Sequence, residues 1–134
     1  MPWFCGHFKR CWDPPGNRWA LEQAKFNLAN KYFLVGLTED LEGFVKLMEF
    51  SLPRFFKGAV DLFKSADNNS HIRKTIHKDP VKQETIDALK DSRVWKAEME
   101  FYEFAKSQFM SIKADFETHG AQKTVYHYEK IRPR

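Results

Sequence analysis

The densest group of chemistry-bearing side chains is Ser70-His71-Ile72-Arg73-Lys74-Thr75, where hydroxyls at each end flank an Arg–Lys pair. A guanidinium grips phosphate or sulfate through two parallel hydrogen bonds, and an ammonium adds a point charge. Ser and Thr supply short hydrogen bonds to the same oxygens. Such a loop suits a nucleotide phosphate or a sulfated sugar. Its surroundings agree: residues 53–82 hold seven Lys and Arg against three Asp, and the remainder balances at fifteen of each sign. The whole net charge of +4 therefore sits in this segment. A local basic stripe on a neutral body points to one anionic ligand site, although a solvated loop without function has the same composition. The loop Ser70–Thr75 itself holds none of the aromatics that base stacking needs, which argues against nucleic acid.

Other reactive side chains are sparse. His7, His71, His77, His119 and His127 show no metal-ligand spacing on one helix face, and surface positions account for them. There is no GxxxxGK[ST], GxSxG, HExxH or CxxC pattern. Cys5 and Cys11 leave three alternatives open. They could form a short-loop disulfide in an oxidising compartment, lie free in a reducing one, or join His7 in an incomplete zinc set.

The elements that must position these groups follow from periodicity. At 134 residues and 43% hydrophobic content, with thirteen Phe and four Trp, the chain is one domain's length and can bury a core. No run of eighteen apolar residues exists, and the first residues have no apolar signal region. An aromatic, cysteine-bearing loop directly after Met1 reads like the middle of a fold. Asn17 is expected to cap a helix lasting to about Lys31, with Leu21, Ala24 and Leu28 inward. Residues 32–37 suit a strand buried on both faces. Thr38 is expected to cap the next helix, with Leu41, Phe44, Val45 and Met48 on its apolar stripe. After Pro53 a helix carries Phe55, Phe56, Ala59, Val60 and Phe63 on one face. The polar stretch 65–80 is long for a connection.

A helical stretch from Gln83 leads into a long helix near 92–117, striped by Tyr102, Ala105, Phe109, Ile112 and Phe116. Gly120 should end it, and residues 123–134 have the content of a strand. Helix, strand and helix in alternation imply an α/β layer. One or two strands make no stable sheet alone, so the helices should offer apolar faces to further structure.

Six blocks sharpen this reading: FCGHFKRCW, NRWALEQAKFNL, YFLVGLTEDLEGFVKLMEFSLPRFFKGA, SHIRKT, EFYEFA and YEKI. In this order the chain resembles the C-terminal part of the heparan sulfate and uronyl 2-O-sulfotransferase family, Pipe-like enzymes included. The resemblance runs from about Phe4 to Pro133.

It implies the helix-rich C-terminal portion of a P-loop-like α/β sulfotransferase fold with a parallel sheet, residues 1–134 forming part of one domain. The implied activity moves sulfate from 3′-phosphoadenosine-5′-phosphosulfate to the 2-hydroxyl of a hexuronic acid, with no metal. Cys5 and Cys11 match a family disulfide. Ser70, Lys74 and Thr75 match the donor nucleotide loop, whereas Arg73 and Lys130 match residues on the acidic-substrate side. A homotrimer in the Golgi lumen, anchored by a membrane segment upstream, is also implied, with an acidic polysaccharide as acceptor and no nucleic acid partner. The family's phosphosulfate loop, its histidine base and the arginine and serine that hold the 3′-phosphate have no counterpart here, and His77 and Pro80 depart from its pattern. A catalytic residue is therefore not assigned. Two readings stand beside this one: a polyanion-binding module without chemistry, and a remnant that does not fold alone.

Overall fold

A computed structural model describes residues 1–65 and 79–119. Two short helices, α1 (Pro2–Cys5) and α2 (Lys9–Trp12), form a small knot ahead of α3 (Arg18–Lys31). Extended chain and a 3-10 turn (Thr38–Asp40) lead to α4 (Leu41–Ser51), α5 (Pro53–Phe56) and α6 (Ala59–Ser65). After the undescribed segment come α7 (Gln83–Asp91) and α8 (Arg93–His119).

The α8 helix is the axis of the molecule because its apolar stripe serves two clusters. Ala97, Phe101 and Ala105 pack on Ala20, Leu21, Ala24 and Leu28 of α3 and on the buried Cys5 and Cys11. Alanines on both helices let the two backbones come close. One turn further on, Phe109 and Ile112 meet Leu37 and Leu47, with Phe44 and Phe116 partly buried beside them. Burying a Leu or Phe side chain contributes about 1.5–3 kcal/mol, so Leu21, Leu47 and Phe109 are major stabilisers. Ions join the same helices at the surface. Lys25 donates to Glu100 at 2.6 Å, and Arg18 reaches Glu100 at 2.8 Å.

Local expectations hold where a cap or a buried stripe is strong. Asn17 caps α3 by accepting from the Ala20 N–H at 2.8 Å, and Leu21, Ala24 and Leu28 are buried. The long helix has the expected inward residues, and α7 starts at Gln83.

Four expectations are corrected. No α/β layer is seen among the described residues, where every regular element is helical and none pairs as a strand. Residues 32–37 are extended at both ends, but they bridge the two clusters through Val35, Leu34 and Leu37. Only Leu37 of this run is fully buried, so it is not a strand enclosed on both faces. Apolar runs look alike whether they pair sideways or plug two clusters, and periodicity does not separate the cases.

The α4 cap is Asp40, not Thr38: the Asp40 carboxylate accepts from the Gly43 N–H at 3.0 Å. The 3-10 turn uses up Thr38 to Asp40 before α4 begins. The buried face of α4 centres on Gly43 and Leu47, while Leu41 faces solvent. The single helix expected after Pro53 is two, broken at Gly58 with φ +82. A Cβ there would meet nothing within 4 Å, so backbone conformation rather than space favours glycine. Phe55 and Phe63 are exposed and α6 buries no residue, so the expected apolar face is not a core face. Gly120 and the expected strand in 123–134 lie outside the described residues.

Candidate functional site

Cys5 and Cys11 are bonded to each other, with Cα atoms 5.7 Å apart. The bridge is buried against α3, and two asparagines fix the knot around it. Asn27 donates to the carbonyls of Phe4 and Cys5, each at 2.9 Å. Asn17, besides capping α3, donates to Arg10 O at 2.9 Å and Pro14 O at 2.8 Å. Gly16 (φ +68) then lets the turn rest on α8, where a Cβ would lie 2.9 Å from Arg93 O. His7 is exposed on this knot. No group of three or more His, Cys, Asp or Glu side chains among the described residues is placed to hold a metal.

At the other end of α8, a cleft of about 180 Å³ is lined by Asp40, Glu42, Gly43, Lys46, Lys113, Phe116 and Glu117. Its charges are largely matched internally. Lys113 Nζ donates to Asp40 Oδ2 at 2.5 Å, and Lys46 pairs with Glu42 at 2.7 Å. The Lys113 hydrogen bond holds the Asp40 carboxyl below the usual aspartate range, and Asp40 in turn raises the Lys113 ammonium. Lys46 likewise lowers Glu42. Nearby, Glu39 is lowered first by its own backbone N–H and then by the Tyr102 hydroxyl, which it pushes up.

A third arrangement connects α4 to α6. Glu49 accepts from Val60 N–H at 2.8 Å and Gly58 N–H at 2.9 Å, and these two bonds lower its carboxyl. Across α3 and α8 the Lys25 ammonium lowers Glu100, and at the α7–α8 junction Lys96 lowers Asp91. All of these shifts move away from neutrality. A general acid or base works best with a pKa near the operating pH, so none of these groups is tuned for that role. What they do chemically is fix helices.

Ser70, Arg73, Lys74, Thr75 and Lys130 lie outside the described residues, as do His71, His77 and His127. Of the basic stripe, Arg54, Lys57 and Lys82 are exposed, and Lys64 comes within 3.7 Å of Glu42. Sequence reasoning missed Asp40 and Glu49. Asp40 carried a signal, since an aspartate directly before an apolar helical run is a cap by type. Glu49 carried none, because its partners are nine and eleven positions away on a turn that only folding brings back.

Over its entire length the chain is 49% identical to heparan sulfate 2-O-sulfotransferase 1 of Gallus gallus and 49% identical to that of Homo sapiens. It is also 43% identical, again end to end, to the heparin sulfate O-sulfotransferase of Drosophila melanogaster. From end to end it is similar to the C-terminal part of the heparan sulfate 2-O-sulfotransferases. The chain spans 38% of the length of these curated relatives. No family model matches it. The similarity to 2-O-sulfotransferases covers the disulfide knot, the helices around α8 and the basic loop alike, since no part of the chain is left out.

Proposed function

We propose that this chain forms the C-terminal part of a sulfotransferase that acts on heparan sulfate or a related acidic polysaccharide. The observation that supports this is the end-to-end similarity to proteins named heparan sulfate 2-O-sulfotransferase 1, at 49–50% identity, and to one named heparin sulfate O-sulfotransferase, at 43%. In this reading sulfate passes from 3′-phosphoadenosine-5′-phosphosulfate to the 2-hydroxyl of a hexuronic acid. The sulfur–oxygen bond to the donor phosphate breaks as a bond to the acceptor oxygen forms, and the hydroxyl proton goes to a base.

Ser70, Lys74 and Thr75 contribute to donor binding, since a lysine and two hydroxyls suit phosphate oxygens. Arg73 and Lys130 attract the carboxylate and sulfate groups of the acceptor. The base and the phosphosulfate loop belong to a longer polypeptide, and residues 1–134 alone are inactive. There this helix-rich part packs beside the parallel sheet of the whole fold. The Cys5–Cys11 bridge suits an oxidising lumen such as the Golgi, with a membrane anchor upstream, and the assembled enzyme is a homotrimer.

The test is to join this chain to its upstream coding sequence and to measure donor-dependent sulfate transfer to heparan sulfate. Transfer by the joined protein but not by residues 1–134 is expected. Arg73→Ala and Lys130→Ala should weaken acceptor use more than donor binding, and equal loss of both would overturn the assigned roles. A second reading, a polyanion-binding module without chemistry, is supported by the net charge of +4 that sits in residues 53–82. That reading expects salt-sensitive heparin binding without affinity for the donor nucleotide.

A further inference from the structure

The Cys5–Cys11 knot displays side chains that a folded surface does not normally leave bare. Trp3 and Phe8 are each 72% exposed and Trp12 is 39% exposed. The indoles of Trp3 and Trp12 meet edge to face with centroids 5.0 Å apart, so they form one continuous aromatic shelf. Lys9 and Arg10 belong to the same short helix, α2, as Trp12. The Lys9 side chain is 90% exposed, and Arg10 lies 4.5 Å above the Trp19 ring. Asp13, 4.0 Å from Lys9, is the one acidic side chain in residues 1–16. The disulfide, Asn17 and Asn27 hold the backbone beneath, so the shelf is organised before any partner arrives.

We propose that this aromatic and basic shelf, Trp3, Trp12 and Lys9 above all, is a binding surface for an acidic polysaccharide. Large apolar groups gathered on a surface mark a contact site. Sugar rings offer C–H faces that pack on indole, and their carboxylate or sulfate groups complement Lys9 and Arg10. Nucleic acid would satisfy the same charges, but the disulfide fits an oxidising compartment where polysaccharides, not nucleic acids, are met. The choice of polymer rests in part on the functional reading above, whereas the existence of the surface does not.

The test uses the full chain with Trp3→Ala, Lys9→Glu and, as a control of equal charge change on α7, Lys90→Glu. All three side chains are exposed, and unchanged thermal unfolding confirms folding. Affinity for a heparin oligosaccharide should fall about three- to tenfold for Trp3→Ala and for Lys9→Glu, and less than about twofold for Lys90→Glu. An unchanged Trp3→Ala, or a Lys90→Glu loss equal to that of Lys9→Glu, would overturn the proposal. So would a loss confined to phosphatidylserine vesicles, or a change only in self-association by sedimentation. If the loss pattern holds while the joined protein transfers no sulfate, the functional reading fails and this surface stands.

Discussion

Asp40 holds two structures at once, and removing it in two ways separates them. Its Oδ1 caps α4 through Gly43, and its Oδ2 receives the Lys113 ammonium from α8. Asp40→Ala deletes both, whereas Asp40→Asn keeps an oxygen for the cap and loses the charge. A lost cap costs about 1 kcal/mol. The ion pair is partly shielded, with side chains 22% and 30% exposed, and screening limits it to about 1 kcal/mol. Asp40→Ala should therefore cost about 2 kcal/mol and Asp40→Asn about 1 kcal/mol. For a chain of 134 residues these correspond to falls in Tm of about 7 °C and about 3.5 °C.

The pH dependence follows from the direction of each shift. The folded Asp40 carboxyl is depressed, so its contribution is present above the ordinary aspartate pKa and is lost as pH falls through the folded value. Lys113 is raised, so its contribution is full below the ordinary lysine pKa and is lost as pH rises through the folded value. Wild type should exceed Asp40→Asn across the neutral range and converge with it in strong acid. Thermal unfolding followed by circular dichroism reads all of this. The reasoning is refuted if Asp40→Asn costs as much as Asp40→Ala, or if Asp40→Asn and Lys113→Met are additive in a double-mutant cycle.

Three further outcomes are expected. Phe109 is fully buried in the second cluster, so Phe109→Ala should cost about 3–5 kcal/mol, read as a large fall in denaturant midpoint. Reducing the Cys5–Cys11 bridge, which closes a short loop, should lower stability by about 2 kcal/mol, measured by urea unfolding with and without reductant. Gly16→Ala combines a left-handed backbone with a contact 2.9 Å from Arg93 O, so a loss of about 1–3 kcal/mol is expected by thermal unfolding, against little change for an alanine at exposed Lys90.

The reading from sequence succeeded where one residue's type settles its own surroundings. Asn17 is a cap by chemistry, and Leu21, Ala24 and Leu28 can reach one neighbour only if the segment is helical. The ordered blocks also carried the relationship to 2-O-sulfotransferases, because identity along a chain needs no coordinates. It went astray at residues 32–37 and 53–63, where an apolar run was assigned a partner the fold does not provide.

The sequence by itself determined the helices with strong stripes, where the positive charge concentrates, and what the chain is similar to. Only the tertiary structure decided that Asp40 rather than Thr38 caps α4, that Glu49 holds the start of α6, and that Trp3 and Trp12 share one exposed shelf. The physical reason is distance along the chain. Caps and stripes act within a turn or two, but a carboxylate reaching a backbone eleven residues away, or an aspartate meeting Lys113, depends on how the helices pack.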